Sequence, residues 1–166
     1  MAVPEWTHID PSGKAGMVNV GIKRITQREA WAAGTVLMKP ETLTRIKENT
    51  ISKGEVLSVA KVSAILAAKK TSDLIPLCHP IQITEVAVFF SLSDDPSRVE
   101  ILSKVQARDR TGVEMEAMTA VAVAALTIYD MCKAVDRGIR ITDIGLIKKS
   151  GGKSGIFYRG KISQST

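Results

Sequence analysis

The stretch IQITEVAVFFSLSDDPSRVEILSKVQ, residues 81–106, decides the fold. β-Branched and aromatic residues fill its first half, and apolar and polar side chains alternate over 98–106, which is typical of strands. Between the two halves, Asp94-Asp95-Pro96-Ser97 supplies residues that favour a turn. The pattern therefore predicts an antiparallel hairpin.

A long helix and a last strand are predicted after the hairpin. Gly112 precedes a helical pattern that runs from about Val113 to Val135 and is apolar around most of its circumference, so burial on several sides is expected. Gly138 is the expected stop of this helix. A strand over 139–147 then leads into KKSGGKSG, residues 148–155.

The segment before the hairpin predicts one strand, two helices and a stiff loop. The strand covers 30–38, and the helices cover 41–49 and 55–70; in the second helix the apolar spacing is i, i+3, i+4, i+7. Pro76 and Pro80 make 71–80 an extended loop. Taken together, these elements predict an α+β domain with an antiparallel sheet and helices on one face.

Composition places the chain among ordinary soluble domains. Its 166 residues, 45% hydrophobic and 24% charged, predict one domain over 1–166, with an N-terminal arm at 1–20 and a basic segment at 148–166. Two isolated cysteines predict free thiols and a cytoplasmic protein, and two distant histidines argue against a metal site. The longest apolar stretch, 117–126, is too short for a membrane span.

The positive charge is concentrated at the C-terminal end. From Lys133 onward, eight lysines or arginines face two aspartates, a local net charge of +6 that equals that of the whole chain. This excess predicts an anion site for a phosphorylated small molecule or a nucleic-acid backbone, although solvated lysines are the plain alternative. Gly151, Gly152 and Gly155 would let a phosphate approach the backbone, but the spacing excludes a Walker A motif.

Several ionisable residues are candidates for chemistry. Asp130 and Lys133 are neighbours on one helix face and could exchange protons with a substrate, or form only a surface salt bridge. Lys53 lies in a break before a helix. Cys78 and His79 lie between two prolines, and they are either catalytic or simply a packed cysteine and a hydrogen-bonded histidine. Glu114 and Asp130 are about 24 Å apart along a straight helix, so they cannot share a small pocket in one subunit. A neighbouring copy could bring the two helix ends together.

Six strings of the sequence, considered together, resemble one family. They are MVNV at 17, SKGEVLSVAKV at 52, KKTSDLIPLCHP at 69, TGVEMEAMTA at 111, ALTIYDMCKAVD at 125 and KSGGKSG at 149. In this order the chain resembles molybdenum cofactor biosynthesis protein C, the family of cyclic pyranopterin monophosphate synthases. The resemblance covers nearly the whole chain, from about Thr7 to Phe157.

The resemblance implies a fold, an assembly and a reaction. The implied fold is ferredoxin-like α+β, and the implied assembly is a homohexamer, a trimer of dimers with sites at subunit interfaces. The implied reaction is a lyase-type rearrangement in molybdopterin synthesis, in which a GTP-derived cyclised dihydro nucleotide triphosphate becomes cyclic pyranopterin monophosphate and releases diphosphate. It implies no resident cofactor or metal and leaves open Mg²⁺ bound to the triphosphate.

The resemblance also implies site residues. The catalytic set would be Asp130, Lys133 and Lys53. The substrate-binding set would be Leu77, Cys78, His79, Glu114, Met115 and Glu116, with Lys149 and Lys153 neutralising the triphosphate. Three positions depart from the family pattern: Asn19 and Ile156 stand where Asp is usual, and Arg110 stands where Lys is common.

Two other functions compete with this reading. A catalytically inactive homologue could keep the fold, and a basic phosphate- or nucleic-acid-binding module could use the same sheet. Nucleic acid is the weaker candidate, because aromatic residues make up only 4% of the chain and Phe89 and Phe90 point to opposite faces of a strand.

Overall fold

A computed structural model of the protein describes residues 16–160. Residues 1–15 of the expected N-terminal arm and residues 161–166 of the basic segment lie outside this range. The elements in chain order are β1 (Thr26–Leu37), α1 (Pro40–Lys47), α2 (Val56–Lys69), α3 (Thr71–Leu74), β2 (Ile83–Asp94), β3 (Ser97–Asp109), α4 (Glu114–Cys132), β4 (Arg140–Ser150) and β5 (Phe157–Tyr158).

The five strands form one antiparallel sheet in the order β2-β3-β1-β4-β5. The first four strands and the helices between them follow the ferredoxin-like β-α-β-β-α-β pattern, and β5 adds a short edge. Along β1 every second side chain, including Ala30, Ala32 and Val36, is buried beneath the helices. The predicted α+β ferredoxin-like fold with an antiparallel sheet is confirmed.

The predicted hairpin is the β2–β3 pair. Asp94 pairs with Ser97 at the turn, and the register continues without interruption to Val86 and Val105. Phe89 is half-exposed while Phe90 packs against the core, as the alternation of a strand requires. Because β3 also pairs with β1 over its whole length, the hairpin determines the position of the central strand.

Helix α4 is the core helix of the domain. Nine of its 19 residues are buried, and it packs on α2 and on three strands. Helix α4 is long and apolar enough to cross a membrane, but 56% of its most apolar 18-residue stretch is buried inside the protein. Burial of this kind is typical of a core helix. Helices α2 and α4 pack on each other, and both bury alanines, whose small side chains permit a close approach: Ala60, Ala64, Ala67, Ala117, Ala120 and Ala124.

Gly34 lies where α4 packs tightly on the sheet. A Cβ atom at this position would lie 2.7 Å from Val121 Cγ1 and 3.1 Å from Ile144 Cγ1. We expect Gly34→Val to lower the free energy of unfolding by about 1–3 kcal/mol, because a well-packed core must move to accept extra carbons. Urea unfolding at one protein concentration measures the change, with Gly160→Val as the control because Gly160 has open space around it. Equal midpoints for both variants would contradict this packing.

Three sequence-based expectations need correction. Residues 71–74 form a short helix rather than an extended segment, because Thr71 Oγ1 donates to the carbonyls of Ala67 and Ala68 and continues the preceding helical turn. Pro76 restricts only the residue before it, and Ile75 is indeed extended. Val59, which the i, i+3, i+4, i+7 spacing counted from Val56 predicts on the buried face of α2, is 43% exposed. The two-residue strand β5 was not predicted.

Candidate functional site

A cavity of about 500 Å³ lies at the N-terminal end of α4. Three segments form its walls: 18–23, 75–81 and the residues from Thr111 to Glu116. Six of the predicted substrate-binding residues line it: Leu77, Cys78, His79, Glu114, Met115 and Glu116. The structure therefore brings together residues that are up to 39 positions apart in the sequence.

The segment that carries Cys78 and His79 is held at both ends. The Cys78 amide donates to the carbonyl of Ile75, at 3.0 Å, and closes a turn over Pro76. Beyond Pro80, the Gln82 amide donates to Asp109 Oδ2 at 3.3 Å. The expected stiffness of this segment thus has a structural basis, although part of it is turned rather than extended.

Glu116 is the buried acid of the cavity. Its side chain is 3% exposed, and Oε2 is buried without a hydrogen-bond partner among the described residues. Burial raises the pKa of Glu116 to about 7, and the charges of Glu114 and Asp109 add to the rise. Burial and the nearby Glu116 carboxylate also raise the pKa of the Cys78 thiol. The cavity therefore contains a carboxyl group that can change protonation near neutral pH.

The segment KSGGKSG, residues 149–155, which we call the lysine turn, brings one lysine next to a glutamate of the cavity. Lys149 Nζ lies 3.6 Å from Glu114 Oε1 and also contacts Ser154 Oγ. Lys153 is exposed on the same turn. Gly151 and Gly152 have φ of 98° and 74°, a region that side chains rarely adopt. An anion in the cavity would therefore meet Lys149 next to the glutamates.

The three predicted catalytic residues form a second group, the acid–base cluster, at the C-terminal end of α4. Lys53 Nζ donates to Asp130 Oδ2 at 2.7 Å and to the Asp130 carbonyl at 2.8 Å, and Lys133 Nζ lies 2.7 Å from Asp130 Oδ1. The hydrogen bonds from Lys133 and Lys53 lower the pKa of Asp130 to about 2, and Asp130 in turn raises that of Lys133. One carboxylate between two ammonium groups is an arrangement that can move protons on a bound molecule.

The cavity and the acid–base cluster do not meet within one chain. Glu114 is in the first turn of α4 and Asp130 is in the last, about 24 Å away along the axis. The predicted site residues other than Lys153 thus lie in or next to two groups, one at each end of the same helix. Lys153 makes no contact with either group among the described residues. Their individual roles stay predictions.

Sequence reasoning missed two long-range contacts outside the predicted site. The buried Arg28 side chain donates hydrogen bonds to the backbone carbonyls of Asp109 and Arg110. The one signal in the sequence is a charged residue at a strand position whose alternate neighbours, Ala30 and Ala32, are apolar. Trp31 stacks on Phe89 across two strands, with ring centroids 6.4 Å apart, although they are 58 positions apart in sequence. The contact between Trp31 and Phe89 has no local sequence signal.

The three positions that depart from the family pattern, Asn19, Ile156 and Arg110, have side chains that are either exposed or hydrogen-bonded only to the backbone. Asn19 Oδ1 accepts the Gly21 amide at 2.8 Å, which forms a local turn beside the cavity. Ile156 is 66% exposed. Arg110 Nε donates to the Lys23 carbonyl at 3.2 Å.

No group of three or more His, Cys, Asp or Glu side chains within residues 16–160 is arranged to hold a metal ion. The expectation that the protein has no resident metal stays a prediction. The ionisable side chains of the two groups are lysines and carboxyl groups, together with Cys78 and His79 in the cavity.

The fold and its two groups of side chains define a class: a ferredoxin-like α+β protein with a small-molecule cavity, adjacent lysines and an acid–base cluster. The sequence profile of the MoaC family matches residues 17–152. The chain therefore belongs to the MoaC family.

Curated relatives agree over most of the chain. A protein from Thermoanaerobacter sp. (strain X514) is 58% identical over 92% of this chain and 97% of its own length. One from Rhodospirillum rubrum is 57% identical over 90% of both, and one from Peptoclostridium acidaminophilum is 53% identical over 95% of this chain and 99% of its own length. All three are named cyclic pyranopterin monophosphate synthase.

Proposed function

We propose that the protein is a cyclic pyranopterin monophosphate synthase, a lyase of molybdenum cofactor biosynthesis. Its substrate would be the GTP-derived cyclised dihydro nucleotide triphosphate, and its products cyclic pyranopterin monophosphate and diphosphate. The observation that carries the proposal is the cavity that gathers six predicted substrate-binding residues beside Lys149. The names of relatives at 53–58% identity support it.

The chemistry divides between the two ends of α4. His79 and the glutamates would hold the purine-derived ring, and Lys149 and Lys153 would neutralise the triphosphate. Lys53, Asp130 and Lys133 would manage the proton transfers of ring opening and closure. No resident cofactor is needed for these steps, and Mg²⁺ would enter with the triphosphate if it takes part.

A homohexamer, a trimer of dimers, with its active sites at subunit interfaces would join the two ends. A cluster from one copy placed at the cavity of another completes a site that a single chain leaves divided by about 24 Å. A trimer of dimers needs two kinds of interface, and apolar side chains on two different faces of residues 16–160 are available for them. One lies on the helices, with Val59, Val62, Leu66 and Leu126, and the other is the Trp31–Phe89 pair on the uncovered sheet face.

The protein would work in the cytoplasm on a small molecule. A nucleic-acid module is disfavoured, because three cations of the uncovered sheet face are already paired with carboxylates: Lys104 with Glu85, Lys148 with Glu29, and Arg98 with Glu100. An inactive homologue is disfavoured by the intact acid–base cluster.

The direct test mixes the purified protein with the cyclised intermediate. We expect diphosphate release together with pyranopterin, detected as its oxidised fluorescent derivative. If the intermediate binds but is not converted, the cavity remains a binding site and the lyase activity is rejected. If it does not bind, both the binding site and the lyase activity are rejected. Sedimentation of the same sample measures whether the active species is a hexamer.

A further inference from the structure

Arg28 is an unusual buried arginine. It is 9% exposed on β1, on the face that the helices cover, and arginine is rarely buried this deeply without a charged partner. Its partners are two consecutive backbone carbonyls, at the end of β3 and at the first residue after it: Nε donates to Asp109 at 3.2 Å, and Nη2 donates to Arg110 at 3.0 Å. A guanidinium bonded to adjacent carbonyls fixes the local course of the backbone.

The loop that Arg28 holds is connected to the other cavity walls. We call residues 110–113 the β3–α4 loop, which leads directly into Glu114. Immediately before this loop, Asp109 Oδ2 accepts the amide of Gln82, the residue that follows the 75–81 wall. Arg110 Nε donates to the Lys23 carbonyl in the third wall.

The same guanidinium supports the lysine turn. A Cβ atom on Gly152 would lie 1.8 Å from Arg28 Nη1, and one on Gly151 would lie 3.3 Å from Arg28 Cδ and 2.1 Å from the Gln27 carbonyl. The backbone of the turn therefore rests directly on the Arg28 side chain and on β1. Only glycine permits this approach at both positions.

We propose that Arg28 is a positioning residue that holds the β3–α4 loop and the lysine turn in one geometry, so that Glu114 and Lys149 face the same bound molecule. This inference rests on the proposed function for its catalytic consequence. The structural coupling itself rests on the contacts of Arg28 alone.

Arg28→Lys tests geometry separately from charge. A lysine keeps the positive charge but has one nitrogen, so it cannot bond both carbonyls and also support Gly152. Since a misplacement of about 1 Å can cost 10²-fold in rate, we expect kcat/KM to fall by about that factor, with kcat reduced as well as KM raised. A purely electrostatic role toward the triphosphate would leave the lysine variant close to wild type and would overturn the proposal.

Hydrogen exchange on the ligand-free protein provides a readout that does not depend on turnover. We expect Arg28→Lys to accelerate amide exchange in 110–116 and in 150–155 together, by about tenfold or more, while the centre of β3 is unchanged. The matched control is Arg45→Lys, which alters an exposed i, i+4 pair with Glu41. Unchanged exchange in both segments would overturn the proposal.

Gly152→Ala tests the coupling from its other end and replaces the first variant if Arg28→Lys does not fold. Its methyl group displaces the flexible guanidinium, so exchange should rise in 110–116 as well as in the lysine turn. A rise confined to the lysine turn would overturn the coupling. If wild type does not convert the intermediate, the proposed function fails, and the exchange data still decide whether Arg28 holds the two segments.

Discussion

Asp130→Asn is expected to lower kcat for the conversion of the cyclised intermediate by about 10²–10⁴-fold, the range in which a positioned acid or base contributes. The hydrogen bonds from Lys133 and Lys53 keep Asp130 ionised, with a pKa of about 2. An amide of the same size cannot take up or release a proton, and it removes the counter-charge of both lysines. If the variant forms no pyranopterin and releases no diphosphate, Asp130 takes part in the chemical step.

The control for this experiment is Asp73→Asn. Asp73 forms an i, i+3 pair with Lys70, at 3.2 Å, on an exposed helix end, as Asp130 does with Lys133. We expect the control to keep full activity and both variants to keep the sedimentation of wild type. Full activity of Asp130→Asn would remove this residue from the mechanism.

Glu116→Gln is expected to remove most of the pH dependence of stability between pH 5 and 8. The pKa of Glu116 in the folded protein is raised from 4.5 to about 7, so the native state keeps a proton that the unfolded chain releases. Its contribution is therefore fully present below pH 4.5 and is lost as the pH rises through 7. At about 1.4 kcal/mol per pKa unit, the free energy of unfolding of wild type should fall by about 2–3 kcal/mol over this range.

The measurement is urea unfolding at pH 5 and pH 8 at one protein concentration, because assembly would otherwise change the apparent stability. The glutamine variant should show a nearly flat profile, whereas Glu48→Gln, at an exposed helix end, should follow wild type. The carboxyl groups with lowered pKa, Glu29, Asp130 and Asp136, titrate below this window. A wild-type profile that is flat from pH 5 to 8 would show that Glu116 ionises normally.

Much of the fold was predictable because its signals are local. Strand alternation and the Asp-Asp-Pro-Ser turn identify the hairpin, and the apolar run after Gly112 identifies the core helix. The boundaries moved by a few residues, and β1 begins at Thr26 rather than Ala30. Residues 71–74 were misassigned because proline restricts its immediate neighbour, not the whole segment before it.

The sequence by itself determined the types of residue available for the site and the separation of Glu114 from Asp130, because both depend on order along one helix. Only the tertiary structure decided that Lys53 reaches Asp130 and that Arg28 joins the β3–α4 loop to the lysine turn. These partners are 77 to 124 positions apart in the chain. Contacts over such separations depend on how whole elements pack, and a single sequence carries no local signal for them.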